Sequence, residues 1–376
     1  MKEIEKFILE NSQTKIEPIC KHFLKCGGCS FQHIPYIKQI KLKEKFLSSY
    51  FNRKVKVNPS PKEYFYRTRM DYVFAFNKLG LRKKGSYKHV VNLDECYLIS
   101  EKVKEILEKT REILIKEKIS SYDYIKHKGY LRYVVFRHAK FTKQHMINFV
   151  TASKSKEIEK IVKYFTDEFD SVVWSINESK SDVSYGKTFK FWKNEFIKEK
   201  LGKKVFFIGA NSFFQSNSYI ALKIYQKIKK AVDGRVADLY AGSATIGIFI
   251  SDSCESVDSV EINDESIKIG KKSIEENKVK NVLMVKSDVV DYLKRIKEKC
   301  KRYNFFILDP PRTGLQKAAE IINKYGPTEI VYLSCNPKTF KLDVEKMDRY
   351  ELVSLEAFDM FPQTPHIELL AFLQRK

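Results

Sequence analysis

Seven short apolar runs separated by longer stretches dominate residues 235–372, and that rhythm restricts the fold more than any other feature. The runs cover 235–239, 256–260, 282–286, 305–308, 330–334, 351–358 and 366–372. Strand-length runs alternating with helical patterns specify a doubly wound, mostly parallel sheet covered on both faces. No convincing helix separates the last two runs, so one antiparallel strand is expected there. A helix over 219–232 precedes the series. The first half differs. It shows an amphipathic helix over 34–51, β-rich segments at 69–76 and 130–137, and helical spacing over 100–118 and 154–165. The reading is an α/β, Rossmann-like catalytic domain over 205–376 and a smaller α+β domain over 1–204. The junction is placed near 202–211.

The segment at 236–247 reads VADLYAGSATIG, a strand ending in a glycine turn that opens a helix. Gly242 lets a ligand approach the backbone, and the helix start offers free N–H donors. Glu261 ends the second strand about twenty residues on, where a carboxylate can accept both hydroxyls of a ribose. Its structural alternative is a cap for the helix that follows. Asp288 follows the third strand, either beside an adenine amino group or as a helix N-cap.

The fourth strand ends in Asp309 before two prolines (NFFILDPPRTGL, 304–315), and the fifth ends beside Cys335 (IVYLSCNPKTF, 330–340). In an open α/β sheet these carboxyl ends face the ligand crevice. Cys335 is therefore a candidate nucleophile, whereas Cys254 and Cys300 read as packing cysteines. Glu368, among Ile367, Leu369 and Leu370, is a candidate base, because apolar surroundings raise a carboxyl pKa. His366 is expected on the same strand face, two residues away.

Charge is uneven along the chain. Residues 1–200 hold 42 Lys+Arg against 24 Asp+Glu, and residues 201–376 hold 28 against 23. A basic first half beside a near-neutral second half suggests a polyanionic partner for the first. Aromatic and basic residues mix between 64 and 89. Tyr72, Phe74 and Phe76 alternate as strand core, and Arg82, Lys83, Lys84 and Lys88 are the contact candidates for nucleic-acid phosphates. Cys20, Cys26 and Cys29, with the distant Cys96, suit a four-thiolate metal site in a reducing compartment. Spacing alone leaves zinc and an iron–sulfur cluster both open. No apolar run is long enough for a signal peptide or a membrane span, and the reading is a cytoplasmic monomer.

Taken together, CKHFLKCGGCSFQH (20–33), SFFQSN (212–217), DLYAGSATIG, DPPRTG, SCNPKT and TPHIELLA resemble the RNA 5-methyluridine methyltransferase family, in that family's order. The resemblance implies a class I methyltransferase domain using S-adenosylmethionine. It implies Cys335 as nucleophile, Glu368 as proton acceptor, and Gln215, Tyr240, Glu261 and Asp309 as contacts to the methyl donor. Arg312 would position RNA or its own loop. The chemistry is coherent, because C5 of uracil is a poor nucleophile until a thiolate adds to C6. For the CGGC loop and a later lone cysteine the resemblance implies a [4Fe–4S] cluster. The cysteine motif leans towards the branch acting on 23S rRNA, with uridine 54 of tRNA as the alternative. Two departures stand out. Nineteen residues precede Cys20, so the N-terminal RNA-binding barrel of many members is expected to be missing, and position 245 is Thr where some members have Asn.

Three rival readings make different demands. One is a methyltransferase acting on cytosine C5 or on an exocyclic amine, the amine reaction needing no thiolate; a non-catalytic RNA-binding protein needs none of Cys335, Glu368, Asp309 and Gln215. A flavin–folate route would need a fuller glycine fingerprint than VADLYAGSATIG.

Overall fold

In a computed structural model, which describes residues 1–376 apart from the side chains at 298 and 301, the chain builds two large sheets. The first part runs α1 (Lys2–Asn11), α2 (Tyr36–Tyr50), β1 (Lys56–Asn58), β2 (Arg69–Ala75), β3 (Lys78–Arg82), β4 (Val90–Asn92), α3 (Glu101–Lys116), β5 (Leu131–His138), β6 (His145–Thr151), α4 (Glu159–Val162), β7 (Ser171–Ile176) and β8 (Lys187–Lys193). A hairpin of β9 (Ile197–Leu201) and β10 (Lys204–Ile208) leads to α5 (Ser218–Ala231), β11 (Arg235–Leu239), α6 (Thr245–Ile250), β12 (Ser256–Glu261), α7 (Asp264–Glu276), β13 (Val282–Lys286) and α8 (Val289–Ile296). The chain ends with β14 (Phe305–Leu308), α9 (Lys317–Tyr325), β15 (Glu329–Ser334), α10 (Pro337–Lys346), β16 (Tyr350–Phe358) and β17 (Glu368–Arg375).

The second half forms the α/β sheet expected from its rhythm, in the order β1-β16-β17-β15-β14-β11-β12-β13. Only β17 runs antiparallel to its neighbours. Strands buried on both faces read as continuous apolar runs, and all four residues of β14 are buried. The chain starts in mid-sheet at β11, winds outward through β13, and returns to β14 on the other side. The crevice at that reversal, beyond the carboxyl ends of β11 and β14, is where such sheets bind ligands.

The other sheet has the order β4-β3-β2-β5-β6-β7-β8, with β6 and β7 its one parallel pair. Helix α3 packs on it through Val103, Ile106 and Leu107 and is capped by Ser100, whose hydroxyl accepts from the Val103 N–H at 3.2 Å. Burying each such side chain contributes roughly 1.5–3 kcal/mol.

The sheets interleave along the chain instead of dividing at 204/205. Strand β1 adds an edge to the eight-stranded sheet by pairing with β16. Helices α1 and α2 bury Ile4, Ile8 and Leu47 in the same core as Leu369 and Ala371. The hairpin Ile197–Ile208 buries Ile197 and Phe206 against Ile224 and Ile248. Other expectations shift locally. Phe76 is exposed, not core, because it and Asn77 take left-handed backbone in the two-residue turn between β2 and β3. The 154–165 segment forms only short helical turns. The last strand starts at Glu368, since Pro365 and the bond from the His366 N–H to the Thr364 hydroxyl keep 364–366 in a turn. No helix among the described residues is long and apolar enough to cross a membrane.

Candidate active site

The turn after β11 is built from left-handed residues: Tyr240, Gly242 and Ala244 have φ of 62°, 55° and 55°. Such backbone is costly for side-chain-bearing residues, and the surroundings hold it in place. The Gly242 N–H donates to Glu261 Oε2 at 2.9 Å, while Glu261 Oε1 accepts from the N–H groups of Ile262 and Asn263, both at 2.8 Å. Glu261 thus locks the turn to the end of β12, and Asn263, not Glu261, caps α7. A Cβ on Gly247 would stand 2.5 Å from Ser259 Oγ, so only glycine lets α6 start this close to β12. Buried Asp238, which the sequence reading did not single out, accepts from the Gly247 N–H at 3.1 Å and the Ser259 hydroxyl at 3.3 Å. Burial pushes its carboxyl up to about 7. Its only sequence signal is an acidic residue in an otherwise apolar strand.

Asp309 lies beside this turn. Its Oδ2 accepts from the Gln215 side-chain amide at 3.2 Å, and loss of hydration lifts its carboxyl to about 7. Gln215 is presented by a loop tied to the other sheet, since the Thr68 hydroxyl donates to the Gln215 carbonyl at 2.9 Å. Tyr240 is half-buried. Asp288 is exposed and caps α8, accepting from the N–H of Val290 at 2.8 Å. Thr245 turns to the Tyr225 hydroxyl at 3.2 Å. The crevice therefore offers a rigid carboxylate, a bare backbone and an amide–carboxylate pair, a set that fits a nucleoside bearing an amino-acid chain.

Cys335 follows β15, and Asn336 caps α10 behind it. The last paired residues of β15 and β17 are Ser334 and Leu369, so Cys335 and Glu368 stand opposite each other at the next step. Glu368 is 5% exposed, because β17 lies inside the sheet between β15 and β16. Burial, reinforced by the Asp309 charge and opposed by Arg312, holds its carboxyl well above the usual range. Burial and Glu368 push the Cys335 thiol up to about 11, against the pull of Arg312. The Arg312 loop is clamped to the cysteine's helix, because Asn336 Nδ2 and the Thr339 hydroxyl donate to its carbonyl at 3.0 and 3.3 Å.

A cleft of about 1020 Å³ opens between the sheets, with Arg67, Arg69, Arg82, Lys83, Lys84 and Arg312 on its walls. It reaches His366, whose imidazole is depressed to about 4 by burial, Arg312 and Arg67. The expected basic patch is partly neutralised within the chain. Arg82 pairs with Asp182 at 2.8 Å and Lys84 with Glu5 at 3.0 Å. Arg67 instead stacks on Phe361 at 5.6 Å. Tyr66 is fully buried, its hydroxyl donating to the Pro362 carbonyl at 2.9 Å, so it is closed to base stacking.

Cys20, Cys26, Cys29 and Cys96 are all buried and line one small cavity with Gln32 and Glu95. Burial raises all four thiols. Among the described residues no group of three or more His, Cys, Asp or Glu is arranged to hold a metal ion. The donor chemistry, four sulfurs around one cavity, nevertheless suits an iron–sulfur cluster.

Residues 35–376 match the model of the family described as tRNA (Uracil-5-)-methyltransferase. The tRNA (uracil(54)-C(5))-methyltransferase of Pyrococcus furiosus is 41% identical over 371 residues, covering 98% of this chain and 88% of that protein. The 23S rRNA (uracil(747)-C(5))-methyltransferase of Pyrococcus abyssi is 31% identical over 372 residues, covering 98% and 88%. The crystal structure of the Pyrococcus abyssi tRNA (uracil-54, C5)-methyltransferase with S-adenosyl-L-homocysteine shares the fold at a TM-score of 0.83 and 37% identity, covering 93% of this chain and 86% of that one. The relatives named for uracil 54 of tRNA are more similar to this chain than those named for 23S rRNA. The chain belongs to the tRNA (uracil-5-)-methyltransferase family and is an S-adenosylmethionine-dependent RNA uracil-C5 methyltransferase.

Proposed function

We propose that this chain methylates uridine 54 of tRNA, with Cys335 as nucleophile and Glu368 as proton acceptor. The observation that carries the chemistry is Cys335 facing a buried Glu368 at the crevice. The Cys335 thiolate bonds to C6 of the uracil, and the C5–C6 π electrons move onto C5 and O4. C5 takes the methyl group, and the donor's carbon–sulfur bond breaks to release S-adenosylhomocysteine. Glu368 takes the C5 proton, the C6–sulfur bond breaks, and the double bond and thiolate return. Splitting one hard step into two easier ones is the gain of covalent catalysis.

Glu261 would hold the ribose hydroxyls, and Asp309 with Gln215 the amino-acid end of the methyl donor. Tyr240 and Gly242 would form the wall of the pocket, with Asp288 at the adenine edge. The cleft between the sheets would take the RNA, and C5 is reached only if the base leaves its stack. Support for tRNA comes from the relatives named for uracil 54. The test is methyl transfer to unmodified tRNA and to 23S rRNA fragments, with the product mapped by mass spectrometry. Methyluridine at position 54 is expected, and product only in the ribosomal fragments would overturn the assignment.

The same reading places a [4Fe–4S] cluster on Cys20, Cys26, Cys29 and Cys96, which would staple the N-terminal loop to the seven-stranded sheet. Anaerobically purified protein should carry about four irons per chain; stoichiometric zinc would contradict it.

A further inference from the structure

Helix α2 turns two buried polar side chains, Gln39 and Lys43, one helical turn apart, towards the segment that delivers Glu368. Lys43 Nζ lies 2.6 Å from Asp359 Oδ1, with both side chains 0% exposed. It also donates to the His366 carbonyl at 3.3 Å. Asp359 immediately follows β16, whose last residue, Phe358, pairs with Glu368. Lys43 thus ties both feet of the 359–366 loop. Gln39 Nε2 holds the middle of that loop, donating to Gln363 Oε1 at 2.9 Å.

Stability is a poor explanation for this pair. Two fully buried charges are costly to desolvate, and apolar residues of similar size often serve the fold as well. The position is more telling, since the tie lies at the neck of the one connection that sets where β17 begins and hence where Glu368 faces Cys335.

We propose that Lys43, seconded by Gln39, is a positioning residue for the proton-removal half of the reaction. This rests on the reading of Glu368 as proton acceptor. A displacement of about 1 Å at a reacting group costs on the order of 100-fold in rate. Loss of the tie should therefore slow breakdown of the covalent intermediate while leaving its formation and the binding of both substrates in place.

The test compares Lys43→Met/Asp359→Leu, which removes both charges together, with Gln39→Leu and Glu368→Gln. Unmodified tRNA and S-adenosylmethionine are the substrates, each variant being assayed where its circular dichroism matches the wild type. The double variant should lose roughly 10–100-fold in kcat with KM nearly unchanged, and a denaturation-resistant protein–RNA adduct should accumulate. Gln39→Leu should show the same split on a smaller scale. Wild-type turnover in the double variant, or slowing without adduct, overturns the proposal. Failure of Glu368→Gln itself to accumulate adduct would instead overturn the assignment of the proton acceptor.

Discussion

Cys335 and Glu368 face each other one residue beyond the Ser334–Leu369 pair that closes the antiparallel ladder of β15 and β17. A single reversed strand in an otherwise parallel sheet creates this. Loops at the carboxyl ends of parallel strands bring Cys335 and Asp309 to the crevice, and only a strand entering from that end can start with Glu368 beside them.

Replacing Glu368 with Gln should cut turnover by roughly 10²–10⁴-fold, the range for losing a positioned general base. The thiol remains, so the adduct with unmodified tRNA should build up on a denaturing gel. Loss of both turnover and adduct would mean that Glu368 acts before C–S bond formation.

The rate should rise with pH. Cys335 is pushed to about 11 and Glu368 is held well above the usual carboxylate range. At pH 7 roughly one free thiol in 10⁴ would be ionised. In the proposed mechanism each group acts deprotonated, so raising pH supplies the active form of both. Single-turnover methylation measured from pH 6 to 9 should climb across the range; a flat profile would contradict this electrostatic account.

Glu261→Gln and Asp309→Asn should each weaken binding of S-adenosylhomocysteine, by about 10–100-fold in calorimetry, since charge-assisted hydrogen bonds are worth about 1.5–3 kcal/mol. Asp288→Ala should act mainly on stability, by about 1 kcal/mol through the missing cap of α8. The reverse ranking would misplace the methyl donor.

The cleft lysines should govern salt dependence. Lys83→Gln with Lys84→Gln should flatten the slope of log affinity against log salt by up to about 0.9 for each phosphate no longer neutralised. Lys84 is partly satisfied by Glu5, so Lys83 should account for more of the change. An unchanged slope in filter binding would remove this wall from the RNA path.

Acid should loosen the seven-stranded sheet. His138 and His145 stack at 4.2 Å in the core, with Lys140 beside the first and Lys102 and Asp170 beside the second. Burial depresses His138 to about 2 and His145 to about 4. A depressed histidine costs nothing above its unfolded pKa of about 6.5. Below that value the unfolded chain binds protons that the fold refuses, so stability falls from about pH 6.5 to about pH 4 for His145 and on to about pH 2 for His138. Between pH 7 and 5 the loss should be roughly 2–4 kcal/mol, and His145→Phe should shrink it in urea titrations at those two pH values.

The catalytic half was readable because its strands are buried on both faces and its loops follow from them. Cys335, Glu368, Glu261 and Asp309 all stand at strand ends that an apolar run marks. What escaped depends on distant pairing. Strand β1 has three residues and no pattern of its own, and it exists because β16 offers an edge. Lys43 looks like one more lysine on a solvated helix until Asp359, 316 residues away, is seen against it. Phe76 fits an alternating strand by composition, but the hairpin turn takes it. The basic patch at 82–84 was legible as charge, whereas its partners Asp182 and Glu5 were not.

The most direct test uses tRNA carrying 5-fluorouridine at position 54, with S-adenosylmethionine. Fluorine at C5 cannot leave as a proton, so the methylated adduct should persist. Peptide mapping should then find one modified pyrimidine on Cys335, and none in Cys335→Ala. A methylated product released without any adduct, or an adduct on another cysteine, would contradict the account.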